Sequence, residues 1–415
     1  MVIPEMGRVS VLHLRFLPRY LEPLLRDIFS IATPRLEALR LSAGNPYTDS
    51  NFNHRVRFDM PDSIFARHSH TLRLLELTFC NVSWPSLLCL SSLTHLKLCH
   101  PATGPTMAQV LALLRGLPML ETLILDQSLP AHNDTDATSP RHFLPNLHTL
   151  TLGGRLESCS NVLKHITYPI TTIATFNCDT LRENLPFTHF IQTAHSAIKY
   201  ERDNHIIHSL CYAETFRCFV LKFFVVCRSS TPLPDQKPQF NVSRSRHDDP
   251  QIPFTEFIHS SVAALSLVEV QALYLSMLRC SSAQINWSEI FQLLPKISAL
   301  YLRNFPSGLM EILSQNKNET TRPRPLSLAH LRSLWLTGTY FSRESLQSLL
   351  ACLQSRAQVG LAIQELHLKD CWYLYEQDVE EMKGLVHDVD WDEVEQEEDE
   401  YPECGRDFEG IYYSD

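Results

Sequence analysis

Nineteen histidines and twelve cysteines supply the chain's possible metal ligands and nucleophiles, so their spacing decides what chemistry is open to it. His68 and His70, or His205 and His208, could each present a pair of imidazoles to a metal ion. No cysteine or carboxylate joins them at the spacing a zinc site needs, so surface or hydrogen-bonded histidines are the expected reading. The cysteines are scattered singly, with no C-x-x-C pair, as free buried thiols of a reducing compartment would be. Nucleophile elbows, zincin helices, phosphate loops and dinucleotide fingerprints are all missing. The chain is therefore expected to be non-enzymatic, without metal or cofactor.

The residues whose spacing does form a pattern are those of molecular recognition. Tyr274, Tyr301, Trp335 and His367 are separated by 27, 34 and 32 residues, and Arg303 and Lys369 stand two residues beyond Tyr301 and His367. Tyrosine, tryptophan and arginine dominate protein-binding hot spots because they combine large apolar area with a polar handle. The competing reading is that aromatic side chains simply suit strands and stack between parallel neighbours.

The spacing follows from the elements that carry these residues. A phrase L-x-x-L-x-L, with Leu, Ile or Val interchangeable, begins at Val9, Leu36, Leu72, Leu93, Leu120, Leu147, Val270, Ile297, Leu331 and Ile363. Its second and third apolar positions lie two apart and share one face of a strand, while the residue between them points to the other. One such strand cannot bury its apolar side alone, whereas stacked parallel copies make a continuous core. The pattern predicts an α/β architecture, an irregular leucine-rich-repeat solenoid with parallel strands on the concave face and helices and turns on the convex one. The intervening residues, in order His13, Arg40, Glu76, Lys97, Ile124, Thr151, Tyr274, Tyr301, Trp335 and His367, should face the concave surface. The last four of these ten are aromatic, and that is where a protein ligand is expected.

Local signals agree with strands followed by helices. Thr106 and Gln109 have capping-box spacing ahead of Val110, Leu113, Leu114 and Leu117, which share one helical face. Ser342 can cap a helix presenting Leu346, Leu349, Leu350 and Leu353. Further helices are predicted over residues 20–29, 288–294 and 375–386. Cys80 and Cys371 follow the third apolar residue of their copies by three positions. There a cysteine is expected to turn inward and hydrogen-bond the backbone of the bend.

The repeats and their intervals occupy residues 1–387. Between 153 and 269 the phrase fades, although 170–176 and 216–226 read as strands. The segment 228–253 is polar and proline-rich, so it is expected to lack a core of its own. Shorter loops of similar character are expected over 128–146 and 315–325. From Asp388 to Asp415 there are 13 acidic residues against Arg406 alone, about −12, while the whole chain is −10. This segment reads as an unfolded acidic tail. No Lys/Arg cluster points to nucleic acid. The most apolar stretch, 216–227, contains Arg217 and Lys222 and is shorter than the roughly 20 residues of a membrane span. Met1 opens no leader-like run, so a cytoplasmic or nuclear location is expected.

Three stretches, ATPRLEALRLS (32–42), GLPMLETLILDQSLP (116–130) and LHLKDCWYLYEQDVEEMKGLVHDVDWD (366–392), resemble the repeat region of the large F-box protein family of mushroom-forming fungi. That resemblance implies a substrate receptor of a ubiquitin ligase. An F-box ahead of the repeats would dock a SKP-type adaptor and cullin, and the repeats would hold the substrate. Here Pro4-Glu5 is followed by MGRV and the first copy already begins at Val9, so adaptor and cullin are expected only if an F-box lies upstream of Met1. A stand-alone scaffold or inhibitor solenoid is the alternative. A GTPase-activating repeat protein is more remote, because its repeats would be regular with Asn after each strand.

Overall fold

The computed structural model describes residues 8–16, 35–43, 58–62, 70–101, 103–130, 140–178, 187–199, 205–214, 218–227, 240–245, 267–276, 286–303, 308–314 and 328–395, with isolated positions 20, 23–25, 28, 64–65, 259, 261 and 265. The fold is mixed α/β with largely parallel strands, and it divides into two compact units, Met1–Asp203 and Asn204–Asp415.

The first unit contains seven parallel strands in chain order. They are β1 (Val11–Phe16), β2 (Ala38–Ala43), β4 (Leu74–Thr78), β6 (His95–Cys99), β7 (Thr122–Asp126), β9 (Thr149–Gly154) and β11 (Ile173–Cys178), with the two-residue β3 (Phe58–Asp59) and β5 (Cys80–Asn81) paired beside them. A small parallel sheet joins β8 (His142–Phe143), β10 (Ile166–Pro169) and β12 (Ile198–Lys199). Helix α1 (Trp84–Leu87) is a single turn. Helices α2 (Met107–Gly116), α3 (Leu156–His165) and α4 (Phe187–Ala197) follow β6, β9 and β11.

In the second unit β13 (His205–Glu214), β14 (Cys218–Cys227) and β15 (Phe240–Ser245) pair antiparallel. β13 also pairs in parallel with β16 (Ala272–Ser276), and the ladder continues in parallel through β17 (Ala299–Arg303), β18 (Ser333–Thr337), β19 (Glu365–Lys369) and β20 (Asp388–Trp391). Helices α5 (Trp287–Leu293), α6 (Leu309–Ser314), α7 (Arg343–Gln358) and α8 (Glu376–Lys383) lie between these strands.

The apolar phrase explains the core. Its first positions Leu36, Leu72, Leu93, Leu120, Leu147, Val270, Ile297, Leu331 and Ile363 are all buried. So are the paired second and third positions, from Leu39 and Leu41 to Leu366 and Leu368. Each such leucine removed from water contributes about 1.5–3 kcal/mol before conformational entropy is set against it.

The bends after the strands share one geometry. The second residue beyond the third apolar position has a left-handed backbone at Phe79 (φ 57°), His100 (φ 53°), Gln127 (φ 52°), Gly338 (φ 57°) and Asp370 (φ 52°). That turn aims the residue's N–H sideways: Phe79 donates to the Cys99 carbonyl, His100 to Asp126, Gln127 to Gly153 and Gly338 to Lys369, at 2.8–3.0 Å. The next side chain turns inward. Ser128 Oγ donates to the Leu98 carbonyl at 3.0 Å, and Cys371 Sγ to the Leu336 carbonyl at 3.7 Å. The cysteine expectation therefore holds for Cys371 and for Cys80, whose thiol donates to the Thr78 carbonyl at 3.5 Å. Burial pushes both thiols up to about 12.

The Thr106–Gln109 capping box forms reciprocally, and Val110, Leu113, Leu114 and Leu117 are buried. Ser342 caps α7 by accepting from the Ser345 N–H. The face α7 buries is turned from the expected one: Leu349, Cys352, Leu353 and Arg356 are buried, whereas Leu346 and Leu350 are only half-buried. Arg356 reaches back to donate from Nη2 to the Leu328 carbonyl at 2.9 Å. Of residues 20–29, positions 20, 23–25 and 28 are helical and the others lie outside the described residues.

Two further boundaries differ from the compositional reading. Within 228–253, Phe240–Ser245 is a strand, and the remainder lies outside the described residues. Asp388–Trp391, assigned by charge to the tail, is the strand β20, so the sheet extends past 387; residues 396–415 lie outside the described residues. Of 128–146, expected as a loop, His142–Phe143 form the strand β8 and residues 131–139 lie outside the described residues, as does 315–325, also expected as a loop. Among the described residues no helix is long and apolar enough to cross a membrane.

Candidate functional site

Parallel pairing places equivalent positions of successive strands side by side, and the register brings Tyr274, Tyr301, Trp335 and His367 into one row across β16–β19. Each lies between two buried leucines of its own strand, so alternation forces it to the opposite, outward face. The rings stack in sequence. Tyr274 and Tyr301 have centroids 4.0 Å apart at 12°, Tyr301 and Trp335 5.3 Å at 26°, and Trp335 and His367 3.5 Å at 14°. All four remain partly exposed. Because stacking covers the ring faces, the surface they present outward consists of ring edges. The stacking alternative raised by the composition is thus realised, and it produces a continuous aromatic strip.

Polar partners hold the strip at both sides of the indole. Trp335 Nε1 donates to Ser333 Oγ at 2.9 Å, which fixes the ring over its own strand. Lys369 Nζ sits 5.9 Å from the Trp335 ring centroid, within the range of a cation–π contact. Arg303 lies in the same row as Thr337 and Lys369, one pleat from the aromatics, and packs near Gly338. The structure therefore gathers Tyr274, Tyr301, Trp335, His367 and Lys369 into mutual contact, with Arg303 flanking them.

The row has a fifth member that the apolar phrase gives no hint of. β20 pairs with β19 so that Asp390 stands opposite His367, and its Oδ2 lies 3.0 Å from His367 Nδ1. The hydrogen bond from His367, and then the charge of Lys369, hold the Asp390 carboxyl below the usual carboxylate range. The signal for it in the sequence is the alternation Asp-Val-Asp-Trp over 388–391, which the acidic composition of the region obscures.

On the N-terminal side of the aromatic strip lies an open groove of about 560 Å³, with Ser298, Ala299 and Ser333 in its lining and the charged side chains Lys296, Arg332 and Glu365 around them. Ala299, Ser333 and Glu365 occupy the row two residues before the aromatics, so the groove and the strip share one face.

The corresponding positions of the first unit behave differently. Arg40, Glu76, Lys97, Ile124 and Thr151 align in register, and the contacts made at Glu76 are ionic. Arg40 Nε lies 3.1 Å and His95 Nε2 3.3 Å from Glu76 Oε1. The hydrogen bond from His95 is the largest influence lowering the Glu76 carboxyl. Solvated pairs of this kind contribute little to stability or affinity. The aromatic strip of the second unit is the stronger candidate.

Among the described residues no group of three or more His, Cys, Asp or Glu side chains is placed to hold a metal ion. No known family profile matches the chain, and no curated protein resembles it detectably.

Proposed function

We propose that the chain is an irregular leucine-rich-repeat solenoid that recognises protein, and that the strip Tyr274–Tyr301–Trp335–His367 on its concave face is where the partner docks. Ten copies of the phrase, the recurring left-handed bends and the inward Ser128 and Cys371 support the repeat reading. The stacked, half-exposed strip carries the recognition reading: it offers large, conformationally fixed aromatic area, so little side-chain entropy is lost when a partner covers it. The resemblance of 32–42, 116–130 and 366–392 to fungal F-box proteins supports the more specific role of a substrate receptor for a ubiquitin ligase.

Affinity purification of the tagged full-length protein, wild type and Tyr301→Ala/Trp335→Ala in parallel, tests both levels. Partners recovered with wild type and lost with a folded double variant are expected. Equal recovery by the two proteins contradicts the site. Recovery of a SKP-type adaptor and a cullin supports the ligase role. Their consistent absence, with substrate-like partners still captured, leaves a stand-alone scaffold.

A further inference from the structure

The aromatic strip is chemically graded along its length, and the gradient describes the partner. At β16, β17 and β18 the row is Tyr274, Tyr301 and Trp335, uncharged and flanked by Ala272, Ala299 and Ser333. At β19 it becomes His367, flanked by Glu365. At β20 it ends in Asp390, with Asp388 opposite Glu365. Asp388 and Asp390 are both exposed and lie two apart on the strand, so they share the outward face. The apolar run thus ends in three neighbouring carboxylates, Glu365, Asp388 and Asp390.

The protein's own cations show what this end accommodates. His367 sits on Asp390 at 3.0 Å, and Lys369 lies over Trp335 at 5.9 Å while also drawing the Asp390 carboxyl down. The other cations of the face lie away from that end or beside the strip: Arg303 is on β17, three strands from Asp390, and Lys296, whose Nζ is held by Glu269 at 2.7 Å, and Arg332 line the neighbouring groove. The negative charge continues in the chain beyond Glu395, where residues 396–415 hold eight acidic residues against Arg406.

We infer that the partner segment crosses the strands of this face with apolar or aromatic residues on Tyr274, Tyr301 and Trp335 and a lysine or arginine at the Glu365/Asp388/Asp390 end. The partner is accordingly a protein with a basic recognition segment. This rests on the aromatic strip being the docking surface and adds the charge of what docks there. Carboxylates at the rim of an apolar contact raise the association rate of a basic partner and set the direction in which it lies.

The test is selection of short random peptides displayed on phage against the immobilised full chain, with recovered peptides re-measured on Asp388→Asn/Asp390→Asn and on Tyr301→Ala/Trp335→Ala. Peptides joining apolar or aromatic residues to Lys or Arg are expected. Removing the two carboxylates should weaken them about tenfold, as two rim ion pairs would, and their binding should fall with added salt. Loss of binding to the aromatic variant should not depend on salt. Asp388→Asn alone, which leaves the His367–Asp390 pair in place, serves if the double variant loosens β20, and a severalfold loss is expected. Peptides that need Tyr301 and Trp335 but lack basic residues, or ignore the aspartate changes, overturn this inference and leave the docking surface standing. Peptides indifferent to both sets of variants, or an empty selection, overturn both.

Discussion

His367 and Asp390 face each other across β19 and β20, with Nδ1 and Oδ2 3.0 Å apart, so a stack of aromatic rings terminates in a carboxylate. The contact lowers the Asp390 carboxyl, as His95 lowers that of Glu76 in the first unit. A carboxylate depressed in the folded state adds stability that is complete above its unfolded value, near 4, and is lost as pH falls through the lower folded value. Stability of the wild-type chain should therefore drop on acidification below about pH 4, and Glu76→Gln/Asp390→Asn should flatten that drop. Urea midpoints against pH, measured for both proteins, check this; parallel curves contradict it.

The thiols should divide sharply by reactivity. Burial pushes Cys80 and Cys371 up to about 12 and Cys99 and Cys352 up to about 11; desolvation raises Cys89 as well, but Cys89 alone of these five is exposed. Alkylation requires thiolate and access. Brief treatment with iodoacetamide at pH 8 should label Cys89 and spare the other four until denaturant is added. Peptide mass spectrometry reads each site, and early labelling of Cys371 contradicts its placement.

Ser128 and Cys371 make the same inward bond in different units, each to the carbonyl of the third apolar residue of the preceding strand. Ser128→Ala leaves the buried Leu98 carbonyl without that donor and should cost about 1–2 kcal/mol. Ser128→Cys, which imitates Cys371, should cost less. Denaturant midpoints of the two variants order them, and a cysteine variant worse than the alanine one contradicts the equivalence.

Gly338 occupies the left-handed position held elsewhere by Phe79, His100, Gln127 and Asp370. Asparagine tolerates this backbone and a β-branched residue does not. Gly338→Val should destabilise by about 1–2 kcal/mol, whereas Gly338→Asn should stay close to wild type. Thermal unfolding separates the outcomes.

These bends also show where the sequence stops being readable. The apolar phrase is visible because burial of Leu334 and Leu336, or of Leu39 and Leu41, depends on side-chain type at fixed spacing, and the aromatic row follows from it by register alone. The Thr106–Gln109 box is equally plain, since its chemistry lies in the two side chains. The left-handed bends are not: phenylalanine, histidine, glutamine and aspartate share no propensity that marks the position, and the stacking of parallel strands imposes the conformation. Ser128 replaces cysteine inside because a small hydroxyl and a thiol both fit and both donate, which a search for Asn or Cys overlooks. Asp390 was hidden because charge dominates composition from 388 onward, while Val389 and Trp391 alternate with the aspartates as a strand requires. The turned face of α7 reflects Arg356, whose long side chain is buried to reach the Leu328 carbonyl, against the expectation for an arginine.

Hydroxyl-radical footprinting of the full-length protein, free and with the first partner recovered by affinity purification, tests the central claim most directly, because tyrosine and tryptophan side chains report their own exposure. Tyr274, Tyr301 and Trp335 should lose oxidation when the partner is bound, while the exposed Tyr340 and Tyr375 keep theirs. Unchanged oxidation of the strip, with protection on the row Arg40–Thr151 or elsewhere, contradicts it.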